Sequence, residues 1–475
     1  MEAPQLLGST FGRLSEARDW LNDRLTPTVA RAKLAAVAAM LNYRPSLRHH
    51  LRDTHPLGVP FVFEAKIQLL TWDRSQGVHA IFEGGRMRVG SGPLPGADVT
   101  VRFRRLEHMR AFFTPGTDTL SMILTNDVAI EGNVAYLAKF GYLTSVIETG
   151  GKARRPEGGA SAKGKGPARW QDLEAYPAGE PCRDRPAGEV THLADPYLAG
   201  YTLDDFPRLK RLLWSFRTVT PEFCSERARL LTEFMLQDRM RRGGNGRGGN
   251  GRSGPALDGK LRWTSHQSDG PGSAAVGLRQ ARALRYVMTR KQARINDDDL
   301  LAGTTTAHRI GVQVYPELGG TWMWPELLTM EVRKLNPYRI SDEEIEILNR
   351  QVYPFWLQEN VRDRAYLQNG RPRSIDLDSR FALYFMWKTQ AVSHTVADVP
   401  RVLRLGLRGI RDEAREREEK AADDPARRDF YRSLQIATEG VMDYAHRLAR
   451  LASEEADAID PTDEESRARR HELRL

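Results

Sequence analysis

Cysteine is scarce in this chain, which has two, Cys182 and Cys224, among 475 residues. Two thiols cannot form a disulfide-rich secreted scaffold or a four-thiolate zinc site. Long apolar runs are also missing: the longest, residues 34–41, is far shorter than the roughly 20 residues that cross a bilayer. The N-terminus lacks the basic-then-apolar layout of a signal peptide. We therefore expect a cytoplasmic protein without a membrane span.

Signatures of common catalytic sites are absent as well. No G-x-G-x-x-G opens a predicted helix, and there is no P-loop, no H-E-x-x-H and no G-x-S-x-G. His49, His50 and His55 lie close to Asp53, but adjacent histidines point to different sides of a helix, and Pro56 ends the element. We interpret this segment as a solvated helix end, and we predict no catalytic, cofactor-binding or metal-binding residue.

Two glycine-rich segments interrupt the apolar periodicity. Residues 151–169 contain six basic residues and one acidic residue, and residues 240–277 contain six basic residues, two acidic residues and eleven glycines. Such composition favours a flexible linker and a disordered, exposed Gly/Arg loop. Together the two segments account for the whole net charge of +9. We therefore infer that the folded parts carry no basic face, and nucleic-acid binding is not expected of them.

These interruptions divide the chain into three predicted parts. Residues 1–150 combine a helix near residues 29–43 with alternating strand patterns, which predicts a small α+β domain. A hairpin turn is predicted at Glu83-Gly84-Gly85 and a helix cap at Asn133. Residues 151–188 form the basic linker and tether. Residues 189–475 are mainly helical, with a predicted helix over residues 221–236, a capping-box pattern at Ser341–Glu344 and charge pairs four residues apart at 411–420. The predicted fold class is therefore mixed.

The first part has more apolar residues than a small half-buried sheet requires. None of the charged residues among them is placed for acid–base chemistry, and methionine adapts well to apolar ligands. A packed core and an apolar ligand pocket both agree with this composition. The candidate pocket residues are Phe103, Met109, Phe112, Phe113, Met122, Ile123, Ile130, Leu137 and Phe140.

The order of these residues resembles the sterol carrier protein family over about residues 28–148. The resemblance rests on Ala97-Asp98-Val99-Thr100-Val101, a glycine turn at Gly116, and Ile130-Glu131-Gly132-Asn133 before a closing helix. It implies a small α+β fold with a tunnel for a fatty or sterol-like ligand, and it carries no catalytic residue to this chain.

The remaining part resembles glycyl radical enzymes of the pyruvate formate-lyase type over about residues 195–475. The matching segments follow one another in the family's order. They are residues 220–233, 279–284, 295–303, 315–317, 324–327, 336–338, 393–395, 402–410 and 444–449. The resemblance implies the N-terminal portion of an α/β barrel that performs radical chemistry without oxygen.

The family's thiyl cysteine and radical glycine belong to regions beyond the matched segments. Cys224 aligns with a helix position of the family, and Arg88-Val89-Gly90 only faintly resembles the radical-glycine loop. We therefore expect no activity from this chain alone, and a glycyl radical only on a missing or partner segment. The resemblance implies an activating enzyme with S-adenosylmethionine and an iron–sulfur cluster. Two origins stay open: the chain is one half of a split enzyme whose remaining barrel comes from a second chain, or it is the product of an interrupted gene.

Two other interpretations stay open at this point. The chain is a lipid-binding or scaffolding protein that kept its helical part for interaction, or it binds RNA through the Gly/Arg loop, whose RGGNGRGGNGR stretch is of the kind that follows phosphates. The sequence does not name a substrate or a lipid.

Overall fold

A computed structural model describes residues 26–113, 122, 125, 127–155, 220–243, 257–258, 273–296, 299, 302–333, 337–360 and 398–475. Helix α1 occupies residues 26–43, and its apolar residues Ala30, Leu34 and Leu41 are buried. A 3-10 helix, Pro45–His50, leads to two short antiparallel strands, β1 (Arg52–Thr54) and β2 (Pro60–Val62).

A five-stranded sheet follows. Its strands are β3 (Ala65–Thr71), β4 (Gly77–Glu83), β5 (Arg86–Ser91), β6 (Val99–Phe103) and β7 (Val128–Gly132). The spatial order is β5-β4-β3-β6-β7, and all neighbours are antiparallel except β3 and β6. The connection from β5 to β6 therefore passes strands β4 and β3, and β3 is the central strand of the sheet, between β4 and β6.

Glycines shape two places in this sheet. Gly84 and Gly85 have φ of 59° and 76° and form the hairpin turn between β4 and β5, as the sequence predicts. Gly132 has φ of 101°, and a Cβ there would lie 2.1 Å from the Asp98 carbonyl oxygen. The end of β7 can therefore pair closely with β6 only because residue 132 lacks a side chain.

Two helices accompany the sheet, α2 (Leu106–Phe112) and α3 (Val134–Thr149). The Asn133 side chain accepts a hydrogen bond from the Ala135 N–H, which confirms the predicted cap. Helix α3 is apolar on almost all sides and has nine buried residues. A helix of this kind needs neighbours on more than one face, and α3 finds them in the sheet and in residues 320–326.

The helical part begins with strand β8 (Glu222–Cys224) and helix α4 (Glu226–Gly243). Helix α5 (Ser273–Arg290) runs back along α4, and between them strand β9 (Leu257–Asp258) pairs in parallel with β2. Strand β10 (Gly311–Gln313) pairs in parallel with β8. The sequence predicts a helix from Pro221, but residues 222–224 are extended because β10 hydrogen-bonds to them.

The segment from residue 316 to residue 359 is a chain of short turns and helices. Three 3-10 helices, Pro316–Leu318, Gly320–Glu326 and Met330–Val332, precede helix α6 (Asp342–Glu346). A π-helical turn, Ile347–Val352, continues α6 into α7 (Tyr353–Glu359). Ser341 caps α6 by accepting the Glu344 N–H, but Glu344 does not return the bond that a capping box requires.

Three long helices complete the described chain: α8 (Val399–Lys420), α9 (Pro425–Ala458) and α10 (Glu464–Arg474). Helix α8 bends at Gly406, which has φ of 63°. Helices α5 and α9 run parallel: Gly277 lies beside Ser433, Gly440 packs on Arg285, and Arg447 donates to the Met288 carbonyl.

One cluster of buried apolar side chains runs through both the α+β part and the helical part. It joins Leu34, Phe63 and Tyr136 to Trp324 and Leu348 without interruption. The described start of the predicted linker, residues 151–155, is held against the helical part, where the Arg154 N–H donates to the Leu328 carbonyl at 2.6 Å. Residues 156–219 lie outside the described residues.

Candidate functional site

The candidate apolar pocket residues gather on one side of the five-stranded sheet. Phe103 and Ile130 lie on the paired strands β6 and β7, Met109 on α2, and Phe140 on α3, and all four are buried. Met122 is also buried, whereas Phe112, Phe113 and Leu137 are half-buried. Ile123 lies outside the described residues. The structure therefore brings most of the set together.

Aromatic contacts connect several members of this set. The rings of Phe103 and Phe112 are 5.3 Å apart and meet edge to face, as do Phe112 and Phe113 at 5.7 Å. Phe140 packs on Phe82 of β4 at 6.0 Å. These distances are those of ordinary core packing. An apolar pocket within the set stays a prediction.

The histidine-rich segment is not the solvated helix end that the sequence predicts. His50 and His55 are buried, and the His50 ring meets Tyr142 of α3 at 5.7 Å. Burial first, and then the nearby Lys139 ammonium, lowers the pKa of His50 to about 2. Among the described residues no group of three or more histidine, cysteine or acidic side chains is placed to hold a metal ion.

A buried lysine stands at the contact between the two parts of the protein. Lys139 of α3 is 1% exposed, and its Nζ donates to the Asn349 side-chain oxygen at 3.2 Å. The Trp324 indole N–H donates to the same oxygen at 3.1 Å. The Lys139 Nζ also lies 4.4 Å from the centre of the Trp324 ring and 5.3 Å from that of Tyr142.

This environment changes the acidity of the lysine. Burial lowers the pKa of Lys139 to about 7, and the more distant Asp53 offsets only part of the shift. Two further polar atoms buried nearby, His50 Nδ1 and the Tyr353 hydroxyl, have no hydrogen-bond partner among the described residues. The cluster can exchange a proton near neutral pH, but its enclosure keeps it from contact with a dissolved substrate.

Asp53 belongs to the same contact. It receives two hydrogen bonds from Arg350, from Nε at 2.6 Å and from Nη2 at 3.0 Å. The Asn133 side chain, which caps α3, also donates to the Leu357 carbonyl at 3.1 Å. No local sequence pattern indicates these pairs, because the partners are more than 200 residues apart.

A small polar cleft of about 230 Å³ lies beside β8. Glu222 pairs with His308 at 3.0 Å and with Arg339 at 3.3 Å, and Arg155 pairs with Glu331 and Asp342. Because its acidic and basic side chains largely neutralise one another, the cleft offers no strong charge to a ligand.

Cys224 lies buried at the end of β8. Burial raises the pKa of its thiol, so the reactive thiolate is disfavoured at neutral pH. The resemblance aligned Cys224 with a helix position, but the residue is extended because β8 pairs with β10. That Cys224 is not the thiyl cysteine stays a prediction. Cys182, the acidic turn residues Asp297 and Asp298, and Ser393-His394-Thr395 lie outside the described residues.

A larger open groove of about 1100 Å³ lies between helices α4, α5 and α9. Six arginines and a single acidic residue, Asp238, line it. The inference that the folded parts carry no basic face was therefore wrong. A net charge summed over a long segment does not reveal a local cluster of arginines. No helix among the described residues is both long and apolar enough to cross a membrane.

Comparison with known proteins assigns the family. The pyruvate formate lyase-like (PFL-like) model matches residues 208–473, more than half of the chain, and the chain belongs to this family. The match begins near the start of the predicted helical part.

Among curated relatives, isethionate sulfite-lyase of Nitratidesulfovibrio vulgaris is 28% identical over 203 residues, which cover 39% of this chain and 24% of the relative. The (2S)-3-sulfopropanediol dehydratase of Klebsiella oxytoca is 26% identical over 222 residues, or 45% of this chain and 26% of the relative. The matched part thus spans about a quarter of the length of these relatives.

Two solved structures are also similar to this chain. The B12-independent glycerol dehydratase of Clostridium butyricum is 25% identical, with a TM-score of 0.43 and coverage of 56% of this chain and 30% of that chain. A glycyl radical enzyme of Archaeoglobus fulgidus is 21% identical, with a TM-score of 0.42 and the same two coverages.

Proposed function

We propose that residues 208–473 form the N-terminal portion of a glycyl radical enzyme and do not perform the radical reaction by themselves. The observation that carries the proposal is the family match, which spans about a quarter of the length of its relatives. On this proposal the helical part is the first portion of an α/β barrel.

The burial of Cys224 agrees with this proposal. A radical enzyme of this type needs a cysteine that reaches its substrate, whereas Cys224 is 3% exposed and belongs to a strand pair. The glycyl radical and the reacting cysteine would reside on a segment supplied by another part of the enzyme. An activating enzyme with S-adenosylmethionine and an iron–sulfur cluster would generate that radical.

The test begins with the DNA that flanks the coding region. We expect that DNA to encode the cysteine and glycine segments, either in continuation of this frame or in a separate frame whose product copurifies with this chain. After anaerobic activation, electron paramagnetic resonance should detect a glycyl radical in the combined preparation and not in this chain alone. A combined preparation without the signal would rule out the split enzyme.

We further propose that the α+β part is a sterol-carrier-like domain for an apolar ligand. The support is the sheet order β5-β4-β3-β6-β7 with helices packed on it, and the three half-buried residues Phe112, Phe113 and Leu137 at the edge of the apolar set. Half-buried aromatic side chains leave an apolar molecule a route toward the buried members.

Organic extraction of the purified full chain, followed by mass spectrometry, tests this role. We expect fatty molecules in the extract and a higher melting temperature with added palmitate. Phe113→Arg should abolish the palmitate effect, whereas Val29→Arg on the exposed side of α1 should preserve it. An empty extract together with no palmitate effect would contradict the ligand role and leave the scaffolding interpretation.

A further inference from the structure

The groove between α4, α5 and α9 concentrates arginines from three helices. Arg241 comes from α4, Arg432 from α9, and the other four from α5; these are Arg279, Arg282, Arg285 and Arg290. Helices α4 and α5 are antiparallel, since Gln237 contacts Tyr286 at one level and Asp238 pairs with Arg279 at another. The cluster is therefore a product of helix packing, and its members are as far as 191 positions apart in the numbering.

Four of these arginines have no acidic partner among the described residues. Arg279 lies 3.8 Å from Asp238, and Arg285 pairs with Glu439 at 2.7 Å. No ion pair connects Arg241, Arg282, Arg290 or Arg432 to an acidic side chain within the described part of the chain. Their positive charge is therefore available to a ligand.

Several basic residues near the C-terminal end of the neighbouring helix α8 are paired. Arg415 pairs with Glu419, Arg417 with Glu413, and Lys420 with Glu416, each four residues apart along the helix. Such pairs neutralise a solvated helix face. Arg404 and Arg408 of the same helix also lack an acidic partner among the described residues, so what distinguishes the groove is that arginines from three helices converge there.

The lining of the groove combines arginines with apolar and aromatic side chains. Residues 279, 282, 285 and 290 follow one another along α5 over a rise of about 16 Å. Phe234, Leu278 and Ile436 also line the groove. The Arg290 guanidinium lies over the Tyr286 ring, 3.8 Å from its centre. A planar guanidinium held on an aromatic ring is a surface on which a nucleobase can stack.

We propose that this groove binds single-stranded nucleic acid. A row of about 16 Å spans the phosphates of about five nucleotides at the 3.4 Å per strand of a duplex. A lining with both positive and apolar side chains suits a chain that carries both phosphates and bases. A bilayer is flat and cannot follow a recess between three helices, and a single small anion would leave most of the arginines without a partner.

Fluorescence anisotropy with labelled 20-nucleotide poly(U) and poly(dT), at several salt concentrations, tests the proposal on the full chain. We expect binding that weakens with salt. Arg282→Glu/Arg432→Glu should weaken it at least ~10-fold and lower the slope against salt by roughly 1.4, since each phosphate contact on a single strand contributes about 0.7. Preference for poly(U) or poly(dT) will assign RNA or DNA.

The control is Arg404→Glu/Arg408→Glu, which makes the same charge change at exposed positions on α8 away from the groove. It should retain binding within about twofold, and circular dichroism should show that both double variants fold. Absence of binding by the wild type, equal losses in the two double variants, or a stronger affinity for phosphatidylglycerol vesicles would overturn the proposal. So would binding that survives the groove substitutions but disappears on deletion of residues 244–256, because the Gly/Arg loop would then be the site.

Discussion

Lys139 is an ionisable residue that is buried in a largely apolar environment. Its ammonium lies among aromatic rings and one amide oxygen, without a carboxylate at hydrogen-bond distance. The protonated form therefore costs free energy in the folded protein, and the pKa falls from the ordinary 10.5 to about 7. Between pH 7 and 10.5 the unfolded chain binds more protons than the folded chain, so stability rises with pH in this window.

Replacing this lysine should increase stability at neutral pH. We expect Lys139→Met to raise the free energy of unfolding at pH 7 by about 1–4 kcal/mol, because the Trp324 N–H still satisfies Asn349. The rise in stability between pH 7 and pH 9.5 should become flatter. Urea denaturation across this range measures both effects.

The exposed Lys152 provides a matched control, and Lys152→Met should change little. His50 does not contribute to the pH dependence between pH 7 and pH 9.5. Because folding lowers its pKa, His50 makes stability rise with pH only below about pH 6.5. An unchanged pH dependence in Lys139→Met would show that the lysine is already solvated.

At the scale of elements, α6 stabilises the beginning of α4. The Glu344 carboxylate accepts the Ser225 N–H at 2.8 Å, immediately before α4 begins. Burial raises the pKa of Glu344, and the hydrogen bond from Ser225 opposes part of that shift. The ionised side chain thus caps a neighbouring helix at some cost in desolvation.

Glu344→Ala should reduce the free energy of unfolding by about 1–2 kcal/mol, which is typical of a lost helix cap. Glu344→Gln should stay near the wild type at pH 7, because an amide oxygen accepts the same bond without a charge to desolvate. The adjacent exposed Glu343 supplies the comparison, and Glu343→Ala should be nearly neutral. Equal effects of Glu343→Ala and Glu344→Ala in chemical denaturation would contradict the interhelical cap.

These elements show which structural features a local sequence pattern can predict. The strands of the sheet, the Gly84-Gly85 turn and the Asn133 cap depend on neighbours in sequence, and the sequence predicts them. The extended β8 and the partner of Glu344 depend on residues about 90 and 119 positions away. Long-range pairing overrides local preference there, so periodicity alone predicted a helix and a capping box.

At the scale of the molecule, the two parts share one apolar core although a linker-like sequence separates them. The composition of residues 156–169 predicts a linker but does not predict how the two parts pack against each other. That packing depends on Lys139, Asp53 and Asn133, which contact residues 349, 350 and 357. The candidate apolar set was predictable because it is contiguous in sequence. The arginine groove was not, because three separate helices build it.

A shared core predicts that the parts remain together after the connection is cut. With a protease recognition sequence inserted after Gly166, the cleaved halves should elute together in size-exclusion chromatography until denaturant is added. Gly141→Leu should promote separation, because a Cβ at residue 141 already lies 3.1 Å from Pro325. Glu148→Leu, on the exposed side of α3, should not. Halves that separate spontaneously would contradict the shared core.

The enclosure of α3 on two sides also affects how the protein is made. Leu357, whose carbonyl receives the Asn133 bond, is synthesised 224 residues after Asn133. At about 5–20 residues per second, α3 waits roughly 10–45 s on the ribosome for its second covering surface. During that interval an apolar helix face is open to chaperones and to other nascent chains. Expression of the α+β part alone would make this temporary exposure permanent.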